Sequence, residues 1–224
     1  MELELFYRIN SFVGVSAAFD EFVTLLLRPH FRTVPFMLIL WSLWFLESPE
    51  FAKRRERLIA ILISALVIVL ATRIMAEILP FRLRPMHDPD VLANLPNWSD
   101  PAELEGWSSM PSDHASLFFG LAMGFFLMNR VAGVIAFILA VFVVSLPRIY
   151  FALHWPTDIL VGALVGITMA LVVLKPLTYL VDRSGIVPYF EARPAIGYPL
   201  LFFVTLELAL MFNLAQYIYR AVLL

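Results

Sequence analysis

Apolar runs close to the length of a bilayer span dominate this chain and leave few folds open to it. A spanning helix needs about 20 mostly apolar residues. Five or six segments approach that length, at roughly 33–48, 58–79, 113–129, 131–147, 158–174 and 197–219. Of the 224 residues, 61% are hydrophobic, against about 45–50% in an ordinary soluble domain. Concentrated in long runs, that excess points to a bilayer rather than to a large soluble core. The expected fold class is all-α: a polytopic membrane helical bundle of about six transmembrane helices, in one domain covering 1–224. Segments 113–129 and 131–147 are separated only by Arg130 and its neighbours and predict a tight helical hairpin.

Residues 3–27 carry a different pattern. Glu4, Arg8, Ser11, Gly14, Asp20, Glu21 and Thr24 recur at helical spacing, with apolar residues between them. This predicts an amphipathic helix lying in the membrane interface, with a seventh span as the alternative. Packing of that helix against the bundle is compatible with the same pattern. The N-terminus is acidic and lacks the basic stretch of a signal peptide, so insertion is expected from the internal spans.

Lysine and arginine in short loops set the orientation. Lys53, Arg54, Arg55 and Arg57 lie in one loop, and alternating spans place Arg130, Lys175, Arg183 and Arg193 on the same side. These eight cations mark the expected cytoplasmic face. Arg28, Arg32, Arg82, Arg84, Arg148 and Arg220 fall on the other face. That outer face also receives the long loop 80–112, the connection 148–157 and the start of the helix at 113. The net charge of −2 and the lack of a long basic patch give no sign of a nucleic-acid partner. The absence of cysteine removes disulfides, thiolate metal sites and cysteine nucleophiles.

The residues with chemical potential gather in those outer stretches. In Met110-Pro111-Ser112-Asp113-His114, proline suits the first turn of a helix. A helix start offers free N–H groups and a positive dipole end to a phosphate. Ser112 adds a hydroxyl, and His114 stands where it could give a proton to a leaving oxygen. An ordinary cap followed by an interfacial histidine would read the same way. In Arg148-Ile149-Tyr150-Phe151-Ala152-Leu153-His154-Trp155-Pro156-Thr157-Asp158, Asp158 follows His154 by four positions, so its carboxylate can reach back to the imidazole. A carboxylate on one ring nitrogen leaves the other free to attack. Arg148 supplies a planar fork for phosphate oxygens. Further upstream, Arg82 and Arg84 stand just beyond a span. Arg73 and Glu77, four apart near its end, predict a mutual salt bridge, because ionisable groups at that depth are costly alone.

Together these residues resemble the type 2 phosphatidic acid phosphatase superfamily, whose pattern reads Lys-x6-Arg-Pro, Pro-Ser-Gly-His and Ser-Arg-x5-His-x3-Asp. Here the first part keeps Arg84-Pro85, with Glu77 in the lysine position. The second reads Pro111-Ser112-Asp113-His114, with Asp113 for glycine, as in the bacterial branch similar to undecaprenyl pyrophosphate phosphatases. The third reads Pro147-Arg148, then His154 and Asp158 at the family spacing, with Pro147 for serine. The resemblance implies that His154 attacks phosphorus and forms a phosphohistidine, that Asp158 holds its imidazole, and that His114 protonates the departing oxygen and then activates water. It implies that Arg84, Arg148 and Ser112, with backbone N–H groups near Asp113, hold the phosphate. It implies neither cofactor nor metal. Arg82 or Arg73 is expected to supply the charge missing at Glu77.

The resemblance further implies a lipid phosphate substrate: a polyprenyl pyrophosphate or phosphate-linked lipid on the strength of Asp113, with phosphatidic acid, phosphatidylglycerophosphate or a lipid A phosphate as the alternative. The site is then expected on the outer face of a bacterial inner membrane. A catalytically reduced protein that binds or moves lipids is the rival class, prompted by Glu77. His87, in the outer loop, is a further phosphate contact or a plain exposed histidine. The soluble vanadium haloperoxidases share the phosphate-site pattern, but the apolar runs exclude that form.

Overall fold

The computed structural model describes residues 1–46, 51–96 and 104–210. Among them there are helices and no strands. They are α1 (Glu2–Asn10), α2 (Ala17–Leu27), α3 (Pro29–Phe45), α4 (Phe51–Ile78), α5 (Asp113–Met128), α6 (Arg130–Leu139), α7 (Leu146–Tyr150), α8 (Pro156–Ser184), α9 (Ile186–Ala192) and α10 (Pro194–Ala209). A π turn, Ala140–Ser145, joins α6 to α7, so Arg130–Tyr150 is one continuous helical segment. The chain is a helical membrane bundle.

Helix lengths depart from the apolar runs in both directions. By length and composition, Lys53–Ile78, Arg130–Tyr150 and Pro156–Ser184 suffice to cross a membrane, and α2 with α3 forms a further candidate bent by 55°. α4 begins seven residues before its predicted apolar run, ahead of the Lys53–Arg57 cations. α8 continues ten residues past its run, through Lys175 and Pro176, to end at Gly185 with φ +65°. α5 has 16 residues, about 24 Å at 1.5 Å per residue. That is shorter than the roughly 30 Å of hydrocarbon. α10 covers 194–209, against the predicted 197–219; residues 211–219 lie outside the described residues.

The predicted 3–27 helix is two helices. Gly14 at φ +83° turns the chain, its N–H donates to Asp20 Oδ2 at 3.0 Å, and Ser16 caps α2. The apolar side of α1 meets protein: Phe6 is fully buried against Ala115, Ile149, Ala152, Trp155 and Ile159. Asn10 ties α1 to the outer loop, exchanging hydrogen bonds with the Asn94 backbone and donating to Tyr150 O at 2.8 Å.

The core lies where α4, α5 and α8 pack together, closed by α6 and α3. Phe36 of α3 reaches Phe118 of α5 at 4.6 Å between ring centres. The hairpin turn between α5 and α6 is Asn129 alone, whose side chain accepts from Ala132 N at 3.0 Å and caps α6. α5 and α8 touch through backbone, as small residues allow in membrane bundles. A Cβ added at Gly166 would stand 2.0 Å from Ser116 O. Gly166→Ala is expected to destabilise the protein by about 1–3 kcal/mol through overpacking, read as a lower thermal midpoint in detergent. An unchanged midpoint would show that the two backbones are not in contact there.

Candidate active site

Two helix starts and one loop build a recess at the end of the bundle. Ser112 caps α5, its Oγ accepting from Ala115 N at 3.4 Å. Its own N–H donates to Asp158 O at 3.2 Å, which fixes the start of α5 against the start of α8. Between them the chain turns tightly: Leu153 N and His154 N both donate to Arg148 O, at 2.9 and 3.3 Å, and Ala152 takes φ +57°. Pro147 explains the π turn before it. Proline has no N–H to continue the helical ladder and crowds the preceding turn, and one wider turn relieves both. Arg148 therefore leaves the helix buried, its guanidinium held by Val144 O.

The outer loop is laced to this turn. Ser109 N donates to Arg82 O at 2.9 Å, Met86 N to Ala152 O at 3.0 Å, and the Trp155 indole N–H to Leu83 O at 2.9 Å. The lacing delivers two contacts to His154. Its Nδ1 lies 2.8 Å from Ser109 O, and its Nε2 lies 3.2 Å from Arg84 Nη1, which also donates to Leu153 O at 2.7 Å. A carbonyl can only accept, so Nδ1 carries the proton and Nε2 keeps its lone pair. Burial pushes the His154 imidazole below its ordinary value; the Asp158 hydrogen bond opposes this and Arg84 adds to it. Asp158 stands farther from the ring than Ser109, with Oδ2 at 3.6 Å from Nδ1. That oxygen accepts from Trp155 N at 2.7 Å, and Oδ1 accepts from Arg82 at 2.8 Å.

His114 has an equivalent arrangement one helix away. Asp113 Oδ1 lies 2.8 Å from its Nδ1 and also accepts its backbone N–H at 2.7 Å. Its Nε2 is buried and faces a cavity of 770 Å³. His154 lines the same cavity, together with Arg28, Arg32, Arg73, Arg84 and Arg148, the carboxylates Asp113 and Glu77, and an apolar rim including Leu27, Leu104 and Trp107. Among the described residues, five buried side-chain nitrogens lack a hydrogen-bond partner, and four of them line this cavity: Nε of Arg32, Arg73 and Arg84, and His114 Nε2. Buried polar groups in native proteins are matched by a partner; an anion with several oxygens matches the three arginine donors, and His114 Nε2 once that ring is protonated. Among the same residues, no three His, Asp or Glu side chains gather as a metal site.

The structure thus brings together His154, His114, Arg84, Arg148, Arg73, Glu77 and Asp113. Four groups are placed otherwise than expected. Arg82 does not face the cavity: Glu2, at 3.0 Å, and Asp158 draw it to the other side of the turn. The Ser112 hydroxyl is engaged as a helix cap and lies outside the cavity lining. The His114 backbone N–H is taken by Asp113. Arg73 approaches Asp113, at 3.9 Å, in place of Glu77. His87 also lies outside the cavity lining. Ser109, Arg28 and Arg32 were not singled out as site residues. For the arginines a signal exists: both fall on the cation-poor face, four apart.

A bundle of apolar helices carrying two histidines and five arginines around one recess defines a membrane protein equipped to act on an anionic group. The profile of the PAP2 superfamily matches residues 58–181, more than half of the chain, and the chain belongs to that superfamily, at the family level one of lipid phosphatases. It is 38% identical over 101 residues to the bacitracin transport permease protein BcrC of Bacillus licheniformis, a match spanning 45% of this chain and 49% of that protein. It is 27% identical over 168 residues to the putative undecaprenyl-diphosphatase YbjG of Escherichia coli (strain K12), spanning 74% of this chain and 77% of that one. No solved structure matches the chain.

Glu77 stands exposed at the mouth of a recess whose cations come from elsewhere. Glu77→Lys is therefore expected to keep kcat and lower KM a few-fold, since an exposed charge change is worth on the order of 1 kcal/mol or less. A collapse of turnover with the fold intact would give Glu77 a role of its own.

Proposed function

We propose that the protein hydrolyses a phosphate monoester or pyrophosphate on a lipid headgroup through a phosphohistidine on His154. The observation that carries this is the pair of imidazoles. Each has Nδ1 held by an oxygen, and the two line one arginine-rich cavity. His154 Nε2 attacks phosphorus while the bond to the leaving oxygen breaks, and protonated His114 gives its Nε2 proton to that oxygen. Water then attacks the phosphohistidine, His114 takes the proton back, the P–N bond breaks and inorganic phosphate departs. Arg84 and Arg148 hold the equatorial oxygens as charge develops on them. Asp113 fixes the ring of His114 and stabilises its imidazolium. Ser109 O and Asp158 fix the ring of His154.

In this reading the chain crosses a bacterial inner membrane with the recess on the outer face, opposite the eight cations of the other end. The substrate is a polyprenyl pyrophosphate or a polyprenyl-linked phosphate, in keeping with the name YbjG carries. A glycerolipid phosphate such as phosphatidic acid, phosphatidylglycerophosphate or a lipid A phosphate is the alternative. The test is phosphate release by the detergent-purified protein, in a chelator, from a panel of polyprenyl and glycerolipid phosphates. Release from polyprenyl substrates supports the proposal. Binding of the lipids with no turnover of any would replace it with a protein that only binds or moves them.

A further inference from the structure

We infer that Glu2 is a positioning residue for the reaction: through Arg82 it sets the charge that Asp158 presents to the His154 imidazole. This rests on the phosphatase reading above and adds to it a residue that lies outside the recess.

Asp158 is fully buried, and a buried carboxylate needs partners for both oxygens. Oδ2 accepts from the Trp155 N–H at 2.7 Å and stands 3.6 Å from His154 Nδ1. Oδ1 accepts from Arg82 Nη1 at 2.8 Å. That second partner carries a full positive charge. As His154 Nε2 bonds to phosphorus its ring becomes cationic, and negative charge behind Nδ1 stabilises it. An Arg82–Asp158 pair by itself is neutral and would offset much of that stabilisation.

Glu2 restores it. Arg82 Nη2 donates to both Glu2 oxygens, at 3.1 and 3.0 Å. Two carboxylates around one guanidinium leave one net negative charge behind the imidazole. Glu2 Oε1 also accepts from the Thr157 N–H at 3.2 Å and from the Thr157 hydroxyl, and that hydroxyl accepts from Arg82 at 2.6 Å. The three side chains thus close onto the first turn of α8, which carries Asp158. The Arg82 guanidinium lies over the Trp155 ring, 5.4 Å from its centre. The side chains of Arg82 and Glu2 are 27% and 32% exposed, so water screens this network less than it would a surface pair.

Contacts outside the network bring Glu2 to it. Phe6, four residues on and so on the same face of α1, is fully buried against Trp155 and Ile159. Asn10 ties the other end of α1 to Tyr150 O and Asn94. The helix therefore docks without the Glu2 charge. Neither Glu2 nor Arg82 lines the recess, whereas Arg84 and Asp113, the other charges that bear on His154, do. The effect of Glu2 should accordingly fall on the chemical step and not on substrate binding.

The experiment measures kcat and KM of the full chain in detergent, on a lipid phosphate, for Glu2→Gln, Arg82→Gln and the double variant. Glu2→Gln keeps the size and an acceptor for Thr157 and removes the charge. It should lower kcat by about five- to tenfold, the scale of one charge-assisted hydrogen bond, and change KM by less than about twofold. In the Arg82→Gln background no guanidinium remains to be neutralised, and the same substitution should change kcat by less than about twofold. Glu2→Asp, which keeps the charge and shortens the reach, should fall between the wild type and Glu2→Gln. An unchanged kcat in Glu2→Gln would overturn the inference, as would a rise in KM at constant kcat. An equal loss in both backgrounds would also overturn it, since Glu2 would then act only by holding Thr157 and the start of α8. Absence of turnover of any lipid phosphate by the wild type would overturn the phosphatase reading, and this inference with it.

Discussion

His154→Ala is expected to lower phosphate release by at least about 10⁴-fold, the loss of the nucleophile on which every later step depends. The side chain is 5% exposed, but its replacement should leave the fold in place. The turn that carries it is held by backbone bonds to Arg148 O, and Asp158 keeps its contacts to Trp155 N and Arg82. Lipid binding should therefore survive while turnover does not. Wild-type kcat/KM adds a pH signature. Protonation of Nε2 removes the attacking lone pair, so activity falls as pH drops through the His154 value. Burial and Arg84 set that value below the ordinary one of about 6.5, so the acid limb should lie below pH about 6.5. A folded His154→Ala variant that still releases phosphate would remove the proposed nucleophile.

The sequence made the local part of this site readable because local geometry decides it. Pro156 is the first residue of α8, where proline marks a helix start in any context, and the four-residue step from His154 to Asp158 brings the two side chains within 3.6 Å in the turn. What stayed hidden depends on distant chain. Arg32 reaches the cavity only because α2 and α3 meet at a 55° bend, and Arg82 leaves it only because Glu2 arrives from the other end of the sequence. The Ser109 carbonyl, nearer to His154 than the carboxylate, belongs to backbone and carries no residue signature at all. Apolar runs likewise do not report helix length, and α8 continues past Lys175. The 3–27 pattern marked helical chain but not the break at Gly14, whose positive φ goes with the closure of Asp20 onto its N–H.

The other large effect belongs to His114, and it separates the two histidines. His114→Ala is expected to slow turnover of a lipid phosphate by about 10²–10⁴-fold, the range of a lost general acid and base. The two steps should not suffer alike on every substrate. A phosphate ester with a strongly acidic leaving group, such as a nitrophenol, departs without a proton, so His114→Ala should still form the phosphohistidine on His154. Hydrolysis of that intermediate still needs a base for water, and the Nε2 that faces the cavity is gone. The variant should therefore release one equivalent of nitrophenol in a burst and then stall, with acid-labile phosphate on the protein. Asp113→Gly, which restores the residue of the family pattern, removes the oxygen that holds Nδ1 and should give a milder loss in both steps, because the imidazole remains. A His114→Ala protein that shows no burst and binds no phosphate would place His114 before the attack on phosphorus rather than at the leaving oxygen and the water.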